Sequence, residues 1–218
     1  MDPPNAMPRR NRVDPWGDLH AVGERGLLTG NRGCLVDGDG VVTRHHRGDL
    51  WIACVTKYRN WRSPLAAPDH WTPIFFLDDA VALAAGHRPC GLCRRSAYQS
   101  YQQAVTVGTS ATVMVRASEL NGLLRTERLR RGRGIDRATD RKLWTVEVDC
   151  LPDGSVVLDH EGAPCLLLED RMMSFAFGGW RLPQARPRQG RIRVLTPPTS
   201  VTALANGFSP ELHPSVWA

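Results

Sequence analysis

Phe75-Phe76-Leu77-Asp78-Asp79-Ala80-Val81-Ala82-Leu83-Ala84-Ala85-Gly86-His87-Arg88-Pro89-Cys90-Gly91-Leu92-Cys93-Arg94 is the stretch from which the rest of this chain can be read. Asp78 or Asp79 stands where a carboxylate meets the free amides and the positive dipole end of a helix. The run Ala80–Ala85 continues that helix, and Gly86 stops it. Pro89 fixes the approach to Cys90, and Gly91 lets the backbone fold tightly between the two cysteines. Two cysteines so placed can both reach one ion at about 2.3 Å. Arg88, Arg94 and Arg95 favour thiolate over thiol, which a metal requires. A thioredoxin-type redox pair competes for the same motif, but it belongs between a strand and a long helix in a βαβ unit. Here the motif sits between two helices, the second over about 94–105, so a zinc knuckle is the expected reading.

This segment resembles the metal-binding domain of the Ada-type DNA-alkylation repair proteins. There a Phe-Phe pair precedes an alanine-rich helix and then Ala-Gly-aromatic-Arg-Pro-Cys-x-x-Cys-Arg. The resemblance covers about twenty residues. It implies that Cys90 and Cys93 bind zinc, and it makes Arg88 and Arg94, with Arg95 beside them, candidates for contact with a DNA backbone. The chain departs from the pattern at two points. It has no upstream Cys-x-x-x-Cys pair from which a cysteine could accept a methyl group, so phosphotriester repair is not implied. His87 stands where the family has an aromatic residue. The remainder is similar to an uncharacterised bacterial family through Gly30-Asn31-Arg32-Gly33, Leu195-Thr196-Pro197-Pro198 and His213-Pro214-Ser215. That likeness implies no activity.

A closed zinc site needs two more ligands. Cys54, on a predicted strand ahead of the knuckle, is the first choice. Cys34 is expected as the fourth, with His87 and His45 as alternatives. Tight turns would hold Cys34 and Cys54 about 10 Å apart across a meander, so their meeting requires another strand order. Cys150 and Cys165 adjoin apolar runs and read as small buried hydrophobes.

Outward from this centre, residues 1–22 are rich in Pro, Arg and Asn and read as a mobile arm. Residues 23–116 form the zinc-binding module, with strands near 33–36, 41–44 and 51–55. Residues 117–218 add a basic helix over about 117–131 and a small antiparallel β-rich portion. There Trp144, Val146, Val148 and Cys150 alternate with polar residues. Further strands are expected near 156–158, 166–168 and 192–195. A short capped helix then runs to Gly207. The fold class is α+β.

The chain has 218 residues, 42% hydrophobic, with 28 basic against 22 acidic side chains and a net charge of +6. The charge suits a polyanionic partner. No apolar run approaches the roughly 18 residues of a membrane span. The N-terminal residues lack the apolar stretch of a signal peptide, which points to the cytoplasm. Arg125, Arg128, Arg130, Arg131, Arg133, Arg137, Arg141 and Lys142 form the strongest basic cluster, and Arg130, Arg131 and Arg133 are its leading candidates for a phosphate track. Glu127 and Arg131 have the spacing of a helical ion pair. Lys57, Arg59 and Arg62 interleave with Tyr58 and Trp61, an arrangement that can stack on bases or cover the metal site. The expected function is binding of nucleic acid, DNA first, around a cysteine-rich structural zinc site. The alternative is a zinc enzyme such as a nuclease or other hydrolase, although no Ser-His-Asp or His-Glu spacing marks one. An interaction module without nucleic acid is the third possibility.

Overall fold

The computed structural model describes residues 7–60 and 64–218. The first sheet is built from β1 (Arg12–Val13), β2 (Leu19–His20), β3 (Leu28–Asn31), β4 (Ile52–Val55) and β5 (Ile74–Phe76). Helix α1 (Asp79–Ala84) follows, and then β6 (Arg88–Pro89), which completes the sheet in the order β2-β1-β5-β3-β4-β6. Helices α2 (Arg95–Gly108) and α3 (Ala117–Arg128) come next. The second sheet takes β7 (Trp144–Glu147), β8 (Val156–Leu158), β9 (Pro164–Leu168), β10 (Arg171–Ala176), β11 (Gly179–Ala185) and β12 (Arg191–Val194). Its order is β11-β10-β9-β8-β12-β7, and every neighbouring pair is antiparallel. Helix α4 (Pro198–Ala205) follows the last strand. The architecture is α+β, as the sequence indicates.

Helix α1 is short, and all six of its residues are buried. A helix apolar all round needs cover on every side. Val81 and Ala84 share one core with Ile74 and Phe76 of the first sheet, with Val156 and Leu166 of the second and with Leu195 just after β12. The boundary expected near residue 116 therefore does not interrupt the core. The cap is Asp78, whose side chain accepts from the Val81 amide at 3.0 Å. Gly86 ends the helix at a φ of +84°, where L side chains are strained, and a Cβ there would meet Arg128 Cδ at 2.9 Å.

The N-terminal arm expected to be mobile is instead part of the fold from about residue 8. Val13 and Leu19 are buried on paired strands, and Phe75 N donates to Asn11 O at 2.8 Å. Asp18 accepts from the Arg137 and Ala138 amides. The arm's low apolar content concealed a segment anchored mainly by backbone and carboxylate hydrogen bonds.

The hairpin expected at 33–44 is reduced to a single bridge between Val36 and Val42. The strand beside β4 is β3, with Thr29 opposite Cys54. Gly30 permits this, because a Cβ there would lie 2.4 Å from the Phe76 ring. The basic helix stops at Arg128, three residues before its expected end. Glu127 does not serve Arg131. It accepts from Thr199 N at 3.0 Å and Thr199 Oγ1 at 2.7 Å, satisfying the start of α4. No helix among the described residues is long and apolar enough to cross a membrane.

Candidate metal centre

Parallel pairing of β4 with β6 sets Ala53 opposite Pro89, and Cys90 N extends the ladder by donating to Ala53 O at 2.9 Å. The next residue on β4 is Cys54, which places its thiol beside that of Cys90. The turn at Gly91 then returns the chain, with Arg94 N donating to Cys90 O at 3.1 Å, and Cys93 joins the other two. The ligand atoms of Cys54, Cys90 and Cys93 all lie within 4.8 Å of one another. A tetrahedral ion about 2.3 Å from each sulfur spaces them by about 3.8 Å, so a small inward movement closes the three on one metal ion. Gly91 faces the Tyr98 ring, where a Cβ would already be at 3.4 Å.

The three thiols are not equivalent. Cys90 is pulled down to about 5, first by a hydrogen bond from the Cys54 thiol and also by the Cys93 and Leu92 amides. Leu92 N lies 3.4 Å from its sulfur. Cys54 is pushed up, chiefly as the donor to Cys90, and burial pushes Cys93 up. Charge therefore collects on Cys90, and a metal cation displaces the remaining thiol protons as it binds.

Cys34, expected as the fourth ligand, is not in this cluster. It is buried, and its thiol donates to Val36 O at 3.6 Å. Neither histidine replaces it. Both are buried around Arg32. Arg32 Nε donates to His87 Nε2 at 3.1 Å, and His45 Nε2 lies 3.0 Å from Gly17 O and 3.1 Å from Arg32 Nη1. His87 is an odd number of residues from Cys90 along an extended segment, so the two side chains leave on opposite faces. Cys165 is buried as expected, whereas Cys150 is exposed.

The arginines beside the knuckle also depart from expectation. Arg88 is 4% exposed, donates to Asn121 Oδ1 at 2.9 Å and lies over the Tyr98 ring. Arg94 is 9% exposed and is paired with Asp79. Neither is free to grip a phosphate. Both guanidiniums lie close enough to the sulfurs to act on their charge. Arg95 is exposed.

The basic cluster is likewise divided. Arg128, Arg137 and Arg141 are buried, while Arg130, Arg131 and Arg133 are exposed. Arg128 donates to Gly86 O and Asp49 O and lies 4.0 Å from the Trp51 ring centroid. Arg32 packs against Trp51 as well, at 4.4 Å. Sequence reasoning missed this pairing of two arginines with one indole, because no local spacing joins residues 32, 51 and 128.

The three cysteines line a cavity of about 1040 Å³. Its wall includes Ile52, Leu65, Trp71 and Phe75, with exposed Lys57 and Arg59 and half-buried Tyr58 at its edge. Trp61 and Arg62, expected to join them, lie outside the described residues. Among the described residues, no His, Asp, Glu or fourth Cys lines the cavity. No protein-family model, curated protein or solved structure matches the chain.

Proposed function

We propose that this chain is a zinc protein whose Cys54, Cys90 and Cys93 thiolates hold the ion at the wall of a ligand pocket, leaving its fourth position to a ligand from that pocket. Soft thiolate donors select zinc over hard cations. The observation that carries this reading is the cavity wall, which supplies three cysteine sulfurs and no histidine, carboxylate or fourth cysteine among the described residues. Three protein ligands and one exchangeable position characterise working zinc sites, whereas structural sites are closed by four. Three thiolates weaken the ion as a Lewis acid, and no carboxylate or imidazole among the described lining residues could take a proton from bound water.

The test is elemental analysis together with the absorption spectrum of cobalt-substituted protein. About one zinc per chain and a tetrahedral cobalt spectrum of three sulfurs and one exchangeable ligand are expected. A four-sulfur spectrum in thiol-free buffer would show the site to be closed, and absence of metal would remove the reading altogether.

Nucleic-acid binding is the second reading. Exposure of Arg95, Arg130, Arg131 and Arg133 favours it, and so does the likeness of residues 75–94 to the Ada-type metal domain. It would proceed through these arginines and without Arg88 and Arg94. Its test is whether DNA or RNA binds at low salt and dissociates as salt rises.

A further inference from the structure

We infer that the fourth position of the metal centre is filled by the sulfur of an anionic small-molecule thiol held in the adjoining cavity. The inference rests on the zinc reading above and names the occupant of that same site.

The donor set gives the first reason. A zinc ion already bound by three sulfurs accepts a fourth soft donor readily, and zinc–thiolate bonds at about 2.3 Å form near neutral pH because the metal replaces the thiol proton. The step balances without a further reagent. The sulfur lone pair forms the bond to zinc, its proton passes to solvent, and the water that otherwise holds the position leaves. A ligand whose own acid proton is this easily lost needs no general base from the wall, and no carboxylate or imidazole is present among the described lining residues.

The wall gives the second reason. A cavity of about 1040 Å³ admits a ligand much larger than a water molecule. Ile52, Leu65, Trp71 and Phe75 offer apolar cover for its body. Lys57 and Arg59 are the charged residues among the described lining, apart from any thiolate, and both are cationic. They suit a carboxylate or phosphate on the ligand. Arg59 is held there at a φ of +51°, a strained conformation for a residue with a side chain, with its guanidinium carbon 5.2 Å from the Tyr58 ring centroid.

The metal's charge gives the third reason. Three thiolates on one zinc leave a net charge of −1, and a fourth makes it −2. Arg88, buried near the sulfurs and held by the neutral acceptors Asn121 Oδ1 and Pro89 O, offsets part of this charge, whereas the charge of Arg94 is already met by Asp79. A thiolate that would be repelled by the bare trithiolate is thus tolerated.

The experiment uses the full chain with cobalt in place of zinc, titrated with 3-mercaptopropionate, coenzyme A, 2-mercaptoethanol and 3-(methylthio)propionate. The sulfur-to-cobalt charge-transfer band should rise by about a third with the thiols, from three sulfurs to four, and stay unchanged with the thioether. At low salt, 3-mercaptopropionate or coenzyme A should bind about tenfold more tightly than 2-mercaptoethanol, a difference of about 1.4 kcal/mol. In Lys57→Gln/Arg59→Gln that preference should disappear while the cobalt spectrum of the free protein is unchanged. Both residues are exposed, and circular dichroism checks the fold. No band change with any thiol, in protein that holds one metal per chain, overturns the inference and leaves the zinc centre standing. Equal affinity for charged and neutral thiols overturns the anionic part. Failure to hold metal at all is a failure of the underlying reading, and elemental analysis separates the two.

Discussion

Arg94 holds Asp79 with both arms of its guanidinium, Nη1 at 2.6 Å from Oδ1 and Nη2 at 2.6 Å from Oδ2. Asp79 is 1% exposed and also accepts from the Glu211 amide at 2.9 Å. The pair ties the residue after the knuckle to the start of α1 and to the C-terminal segment. An arginine that reads in sequence as a phosphate ligand is thus an internal strut.

Removing one member of a buried pair strands the other charge. Arg94→Gln should therefore destabilise the protein by about 3–5 kcal/mol, as seen in urea unfolding. A loss under about 1 kcal/mol, the range of an exposed pair, would mean that Arg94 is solvated and available to ligands.

The cysteines should separate cleanly by metal content. Cys54→Ser, Cys90→Ser and Cys93→Ser should each lose zinc on dialysis against a chelator that leaves the natural protein loaded. Cys34→Ser should keep it, because Cys34 stands outside the cluster. Zinc removal should also lower the melting temperature, by about 2–4 °C for each kcal/mol lost. Zinc loss from Cys34→Ser with the fold intact would restore the four-cysteine site.

Three histidines should stay neutral in the folded protein well below their usual range. Burial, reinforced by Arg32, lowers His45 and His87, and burial holds His46 at about 4. The folded values lie below the unfolded 6.5, so the unfolded chain binds more protons as pH falls, and stability is lost below pH 6.5. Burial of Asp78 opposes this between about 4 and 6, since its native carboxyl is raised to about 6 and takes up a proton that the unfolded chain does not. Between pH 6.5 and 6 the three unfolded histidines hold about 1.5 to 2.3 protons that the folded ones do not, a slope of about 2–3 kcal/mol per pH unit, which the partly protonated Asp78 and the raised His20 reduce. In NMR spectra their ring resonances should be stationary from pH 7.5 to 5.5. His20, raised by its hydrogen bond to Asp14, should titrate above 6.5 and serve as the control. Titration of His45 or His87 near 6.5 would show that the Arg32 cluster is open to water.

If the exposed arginines track phosphates, Arg130→Gln/Arg131→Gln/Arg133→Gln should weaken binding to all DNA sequences alike. The salt slope should flatten by up to about 0.9 per lost contact. All three residues are exposed, so the melting curve should not change. An unaltered salt slope would assign them to a solvated face.

What the sequence determined by itself is what a few consecutive residues decide. Asp78 caps α1 three residues ahead of the amide it serves, and Gly86 ends it. Cys90 and Cys93 share one turn, so both could be read without knowing any strand order. Cys54 was reached because a strand before the knuckle can lie beside it, and the β4–β6 pairing gives that neighbour. Only the tertiary structure decided which of the other polar groups are inside. Cys34 needed a strand order that the chain does not adopt, since β3 at Leu28–Asn31 takes the place beside β4. Arg32, Arg88, Arg94, Arg128, Arg137 and Arg141 look like surface charge in a linear chain. All but Arg137 are buried because a distant carbonyl, carboxylate, amide or ring receives them, whereas Arg137 is received by Asp140 and the Arg130 carbonyl close by in the chain. Burial of a long cationic side chain depends on partners far away in sequence, and no local pattern of residues encodes them.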